Sequence, residues 1–235
     1  MIIFQKLWAQ LIKGPEVRFI SHLDLLRAME KALRRAGLPL SFTRGYNPRP
    51  RISFASALPV GMTSCGEYVE FIPKNPHQPE EFKEQLNKQL PTGLKIVAIK
   101  EVAYAAPALM ALINLARYKI SFRLPPEIKA RVFLATWRDF YQQEEVKVCR
   151  QTKKGMRTFN LISHVHDQRV YLEGDNTALA YIDLHLGSRG NIRPGELLQA
   201  FWDFAGYEGC QPVIQRKGLF ILQDDCLLSP LKIEF

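Results

Sequence analysis

None of the four cysteines, at positions 65, 149, 210 and 226, lies within four residues of another. That spacing excludes a CxxC zinc knuckle and a CxxxCxxC iron–sulfur triad. In a chain of 235 residues the even count reads as free thiols in a reducing compartment, not as a disulfide framework. Long apolar runs are also missing. The start, MIIFQKLWAQLIKG, is broken by Gln5, Lys6, Gln10 and Lys13 and has no basic leader or small-residue cleavage site. Ala105–Ala116 is too short to cross a bilayer and contains Pro107 and Asn114. The expectation is a soluble cytoplasmic protein without a membrane contact. No cofactor motif occurs, so none is assigned. Acids are scarce: 23 Asp and Glu against 32 Lys and Arg leave a net charge of +9 and a pI near 9.4. The excess favours polyanionic partners such as nucleic acid.

What is present is an ordinary globular composition, 47% hydrophobic and 23% charged, with length enough for two domains. Leu7–Lys13 alternates as a strand. Ser21 is an N-cap, with Asp24 in the first turn, and Leu26, Met29, Leu33 and Ala36 form a helical stripe up to Gly37. Leu38–Thr43 reads as a short strand and Arg44-Gly45-Tyr46-Asn47-Pro48-Arg49-Pro50 as a loop. Arg51–Ala57 and Glu67–Ile72 are strand-like, Glu80–Leu90 is helical, and Leu94–Val102 is a strand. This β-α-β-β-α-β order is that of a ferredoxin-like unit. It recurs with a strand at Arg117–Leu124, a helix opened by Pro126, strands at Val146–Arg150, Thr158–Ser163 and Ala180–Gly187, a helix from Pro194, and Val213–Leu222. The fold class is therefore α+β: two tandem ferredoxin-like (βαββαβ) units with antiparallel sheets. They are expected at 1–104 and 117–235, joined by a linker at 105–116.

Charge is concentrated between 13 and 51. Lys13, Arg18, Arg27, Lys31, Arg34, Arg35, Arg44, Arg49 and Arg51 face only Glu16, Asp24 and Glu30, a net +6. Arg27, Lys31, Arg34 and Arg35 share a helix face and can track a phosphate backbone; a merely solvated face has the same pattern. In the adjoining loop, Pro48 and Pro50 stiffen Arg44, Tyr46, Asn47, Arg49 and Arg51, lowering the entropy cost of binding. Tyr46, with Phe42 or Phe54, would stack on an unpaired base; a structural turn is the alternative. His22, at the helix start, is a candidate ligand contact or general base, or an ordinary capping-turn histidine. His164 and His166 make an incomplete metal pair beside Asp167, and Cys65 is a lone thiol. Lys147, Arg150, Lys153, Lys154 and Arg157 form a second basic run around a hairpin tip, either a phosphate contact or a solubility device. The turn Ser188–Glu196 opens a helix whose N-terminus can receive an anion or simply join two elements.

Val17–Phe71 includes Ser21-His22-Leu23-Asp24, Arg34-Arg35-Ala36-Gly37-Leu38-Pro39, Gly45-Tyr46-Asn47-Pro48-Arg49-Pro50, Leu58-Pro59-Val60-Gly61 and Glu67-Tyr68. With Gly190–Pro194 and the helix after it, this pattern resembles the radical SAM-linked proteins, a bacterial family of unknown function. The resemblance implies a partner: members occur beside or fused to a radical SAM protein with a cobalamin-type domain, often near genes for RNA-processing or ribosomal proteins. The cysteine spacing means that any such chemistry belongs to that partner. Three functions are weighed: an accessory module that binds RNA and presents it to the radical SAM enzyme; a metal-independent endoribonuclease using His22, similar in outline to CRISPR repeat-processing enzymes; and an adaptor docking a radical SAM or ribosomal protein. Binding without catalysis is the favoured reading. The expected nucleic-acid contacts are Arg18, His22, Arg27, Lys31, Arg34, Arg35, Arg44, Tyr46, Asn47, Arg49, Arg51, Lys153, Lys154 and Arg157.

Overall fold

The computed structural model describes residues 5–152, 155–174, 176–187, 192–207 and 212–234. It divides into two compact units, Met1–Ile113 with Arg216–Phe235, and Asn114–Gln215. Both mix α and β, and their strand pairings described below are antiparallel.

In the first unit β1 (Lys6–Lys13) lies between β3 (Thr63–Phe71) and β4 (Leu94–Val102), antiparallel to each. The short β2 (Ile52–Phe54) adds to β3, again antiparallel. Alternation along the strands turns Leu7, Ala9, Leu11, Val69, Phe71, Leu94 and Ile96 to one face. Against it pack Leu25, Met29, Ala32 and Leu33 of α1 (His22–Arg35) and Phe82 and Leu86 of α2 (Pro79–Asn87). Burying each of the larger side chains contributes about 1.5–3 kcal/mol, which is what holds α1 against the sheet. On the opposite face Trp8 is buried and its indole donates to Glu70 Oε2 at 2.9 Å. The same carboxylate oxygen accepts from the Leu109 N–H at 3.3 Å, so the short α3 (Leu109–Leu112) helps to cover that face.

The ends of α1 follow from sequence. Ser21 Oγ accepts from the Asp24 N–H at 3.2 Å, satisfying one of the unpaired donors of the first turn. At the other end Gly37 takes φ +69°, and the Leu38 N–H reaches back to the Leu33 carbonyl at 3.0 Å. That six-to-one bond, with Leu33 and Leu38 both buried, is a Schellman closure.

The tail from Arg216 belongs to the first unit, where the sequence boundaries had assigned it to the second. Its first residue supplies a reason. The Arg216 guanidinium is buried and donates to Glu67 Oε2 of β3 at 2.8 Å and to the Ala57 carbonyl at 3.1 Å. From there β10 (Val213–Gln223) continues into β11 (Cys226–Leu228), which pairs back on it.

In the second unit β9 (Thr177–His185) pairs with β5 (Leu115–Arg123) and β8 (Val165–Leu172). Phe122, Phe133, Trp137, Phe140 and Phe201 form an aromatic core with α4 (Ala130–Tyr141) and α5 (Pro194–Ala205). A separate hairpin joins β6 (Lys147–Thr152) to β7 (Gly155–Asn160).

Several elements differ from the sequence reading. β8 is not among the strands assigned from sequence, where His164 and His166 share a face only if that stretch is a strand; the polar run His166-Asp167-Gln168-Arg169 hides the alternation that pairing with β9 supplies, and His164 falls in the turn before it. Leu38–Thr43 forms only isolated bridges, Leu40 with Pro73 and Phe42 with Pro50, since a proline has no N–H to extend a ladder. α4 begins at Ala130 and not at Pro126. The stretch read as a linker contains α3, and Leu115 already belongs to β5.

Candidate nucleic-acid interface

The segment after α1 folds back on itself in a chain of short hydrogen bonds. Ser41 N–H donates to Ile72 O at 2.8 Å, Arg51 N–H to Ser41 O at 2.7 Å, and Lys74 N–H to Pro39 O at 2.9 Å. At the far end the Thr43 N–H donates to Arg49 O at 2.8 Å, and the Arg49 N–H to Thr43 Oγ1 at 3.0 Å. Gly45, at φ +132°, turns the chain at the tip, a conformation costly for any residue with a Cβ. The product is an anchored projection on which Arg44, Asn47 and Arg49 are exposed and Tyr46 is 99% exposed.

Between this projection and α1 lies a groove of about 680 Å³. Leu33, Leu38, Leu40 and Pro50 contribute its apolar lining, and Phe42, 59% exposed, stands in it. Arg27, Glu30, Lys31 and Arg34 enter from one helix face. An apolar cleft carrying a few placed charges is the usual make-up of a ligand site.

Hydrogen bonding sorts the cations. Among the described residues, the side chains of Lys31, Arg34, Arg44 and Arg49 have no ion pair and no hydrogen bond. Others are committed. Arg27 pairs with Asp24 at 3.2 Å. Arg35 turns away to donate to the Gln89 carbonyl at 2.6 Å. Arg51 donates to the Tyr104 hydroxyl at 2.7 Å, and the Arg18 guanidinium lies over the Phe19 ring, 4.5 Å from its centroid. Asp24 is held below the usual carboxylate range, first by the Ser21 hydroxyl and then by Arg27.

Two sequence assignments change. Lys13, counted with the surface charge, is 1% exposed and donates to the carbonyls of Arg18, Ile20 and Met62 at 3.1, 3.4 and 3.4 Å. Burial lowers its affinity for the proton, partly offset by the Glu67 charge. It ties the run before α1 to the turn at Met62. Phe54, offered as a stacking ring, is 7% exposed and packs edge-on against His22 with centroids 5.2 Å apart. His22 is thus at the first turn of α1, half-buried, and is not among the residues lining the groove.

In the second unit Lys153 and Lys154 lie outside the described residues, as do 188–191 and Cys210. Arg157 is exposed on β7. Arg150 is neutralised by a two-pronged pairing with Glu196 of α5, whose carboxylate also accepts from the Arg193 N–H at 2.9 Å. Burial alone would raise the Glu196 carboxyl, but these donors hold it below its ordinary range. That carboxylate occupies the N-terminal turn of α5, where an external anion had been an option. His164 lies in a short turn against Phe159, whereas His166 faces His185 with centroids 5.6 Å apart. Among the described residues no three His, Cys, Asp or Glu side chains are grouped to hold a metal. No helix among them is long and apolar enough to cross a membrane.

The sequence reading missed the groove itself and the place of Glu30 in it. The alternation Leu38, Leu40, Phe42 is the available signal, and by itself it specifies a strand and not a groove wall.

The solved structures to which the chain is similar in part include these three. One is a Cbf5-Nop10-Gar1 complex (12% identity, TM-score 0.46, 88% of this chain and 47% of that one). Another is an H/ACA ribonucleoprotein bound to a substrate RNA containing 2'-deoxyuridine (11%, TM-score 0.47, 88% and 46%). The third is an unknown protein from Galdieria sulphuraria (9%, TM-score 0.26, 91% and 99%). The chain spans about half the length of the first two, at 47% and 46%. No curated protein matches it. A family model does match, from residue 6 to residue 194, across both units. The chain therefore belongs to the uncharacterized proteins conserved in bacteria that are grouped as domain of unknown function 2344.

Proposed function

We propose that the first unit binds single-stranded RNA across α1 and the Arg44–Arg49 projection. In this reading the chain is an accessory module that presents the RNA to a partner radical SAM enzyme. The observation that carries the RNA reading is the groove. Lys31 and Arg34 stand uncommitted beside an exposed phenyl ring and an apolar lining, next to a projection bearing Arg44, Tyr46, Asn47 and Arg49. Cations hold phosphates while rings and apolar walls take unstacked bases, a combination suited to single strands and poorly suited to a closed duplex. Arg18, Arg27, Arg35 and Arg51 border this surface and support it from their present partners. His22 contributes as a contact at the start of α1 and not as a catalyst. In the second unit Arg157, with Lys153 and Lys154, is a further phosphate contact. The partner enzyme is inferred from the resemblance of Val17–Phe71 and from the cysteine spacing. The adjacency of β4, β1 and β3, with the short β2 pairing β3 off the main path of the sheet and two helices packed on one face, supports reading the first unit as ferredoxin-like, and the tandem arrangement is proposed with it.

Fluorescence anisotropy with a labelled unstructured RNA at low salt tests the binding. The wild type is expected to bind, and Lys31→Glu with Arg34→Glu to abolish binding without changing the unfolding midpoint. Absence of wild-type binding refutes the reading. For the partner, co-precipitation with a co-encoded radical SAM protein is expected to weaken after nuclease treatment; an undiminished interaction would identify a protein adaptor instead.

A further inference from the structure

The groove contains one group that phosphate binding does not require. Glu30 enters it from the same helix face as Arg27, Lys31 and Arg34 and is half-buried there. Among the described residues it makes no ion pair and no hydrogen bond, although Arg34 stands four residues on, at the spacing where such pairs form on a helix. An ionised carboxylate only accepts, through two oxygens side by side. Among cations aimed at phosphate it opposes the ligand's charge, so its contribution has to come from donors on the ligand.

Of the four RNA bases, guanine alone offers two adjacent donors, N1–H and the N2 amino group, on its Watson–Crick edge. These match the two oxygens of one carboxylate. Adenine and cytosine each place an acceptor nitrogen beside their amino group, and uracil flanks its single imino donor with two carbonyls. Pairing consumes that edge in a duplex, so only an unpaired base can present it.

We propose that the groove is a recognition pocket for an unpaired guanine. The base packs against Leu40 and Phe42, Glu30 accepts from N1–H and the N2 amino group, and Lys31 and Arg34 hold the flanking phosphates. A base seated on Leu40 and Phe42 would shield the carboxylate contact from water, and that lower local polarity strengthens the discrimination. This inference rests on the RNA-binding reading and specifies which base that site takes.

The test uses the full chain and labelled eight-residue uridine strands carrying one central guanosine, inosine, adenosine or cytidine, at about 50 mM salt. The guanosine strand is expected to bind about tenfold or more tightly than the adenosine and cytidine strands. Inosine keeps N1–H but lacks the amino group and should fall between. Glu30→Gln retains the shape and removes one acceptor; it should erase the guanosine preference and leave affinity for all-uridine RNA unchanged or higher. Phe42→Ala should weaken the guanosine strand more than the all-uridine strand. Equal wild-type affinities for all strands, with a normal salt dependence, would overturn the guanine pocket and leave RNA binding standing. So would a preference that survives Glu30→Gln. Failure of every strand to bind would overturn both.

Discussion

Salt dependence turns the sorting of cations into a number. Each cation that neutralises a phosphate of a single strand releases counterions and adds about 0.7 to the slope of log affinity against log salt. Four exposed cations at the site have no partner among the described residues: Lys31, Arg34, Arg44 and Arg49. These four alone contribute about −2.8 to the slope, a drop of about 50-fold between about 50 and about 200 mM salt, and Arg157, Lys153 and Lys154 of the second unit add to it where they also meet the strand. Replacing Lys31 and Arg34 together by alanine should lower the slope by about 1.4, which makes the same change in salt about sevenfold less costly. Arg35→Ala is the internal control. It removes the same formal charge from the same helix, but its guanidinium is engaged with the Gln89 carbonyl at 2.6 Å, so the slope should stay at the wild-type value. Anisotropy titrations at four or more salt concentrations give all three slopes. If Arg35→Ala lowers the slope by about 0.7, the share of one phosphate contact, or if the double variant leaves it unchanged, the assignment of free and committed cations is wrong.

Tyr46→Ala should cost about 1–3 kcal/mol of single-strand affinity by loss of base stacking, with stability unchanged because the ring is 99% exposed; an unaltered affinity would remove Tyr46 from the site. Glu67→Ala should lower stability by about 3–5 kcal/mol, since it removes the carboxylate that pairs with the buried Arg216 and also the charge that favours the Lys13 ammonium; denaturant unfolding showing less than about 1 kcal/mol would contradict this. Ser21→Ala should cost about 1 kcal/mol through loss of the cap on α1, read from the same unfolding curves. Glu196 has a folded-state pKa below its ordinary 4.5, so the stability it adds is present above that value and is lost as pH falls through the lower folded value. The unfolding midpoints of wild type and Glu196→Gln should accordingly converge on acidification, and a gap that widens toward low pH would reverse the sign.

Much of the local structure could be read from the residues. Ser21 and Gly37 bracket α1 because capping and left-handed closure depend on the identity of a single residue. Leu94–Val102 was read with the bounds that the structure has, because the segment follows a helix and a Pro-Thr-Gly turn. The polar edge strand β8 was invisible for the opposite reason: its conformation comes from its neighbour and not from its own pattern.

The basic character of residues 13–51 was determined by sequence alone, since charge is a property of composition. Which of those charges can meet a ligand was decided by tertiary structure. Lys13 is drawn inside by three carbonyls, Arg35 is held by a residue 54 positions away and Arg51 by one 53 positions away. Lys31, Arg34, Arg44 and Arg49 are left at the surface. The groove has the same origin. Prolines at 39, 50 and 73 prevent a regular ladder, so the chain after α1 closes through a few isolated bonds and leaves a cleft against the helix. A hydrogen bond across 50 residues depends on where the backbone has been brought, and no local pattern of residue types encodes that distance.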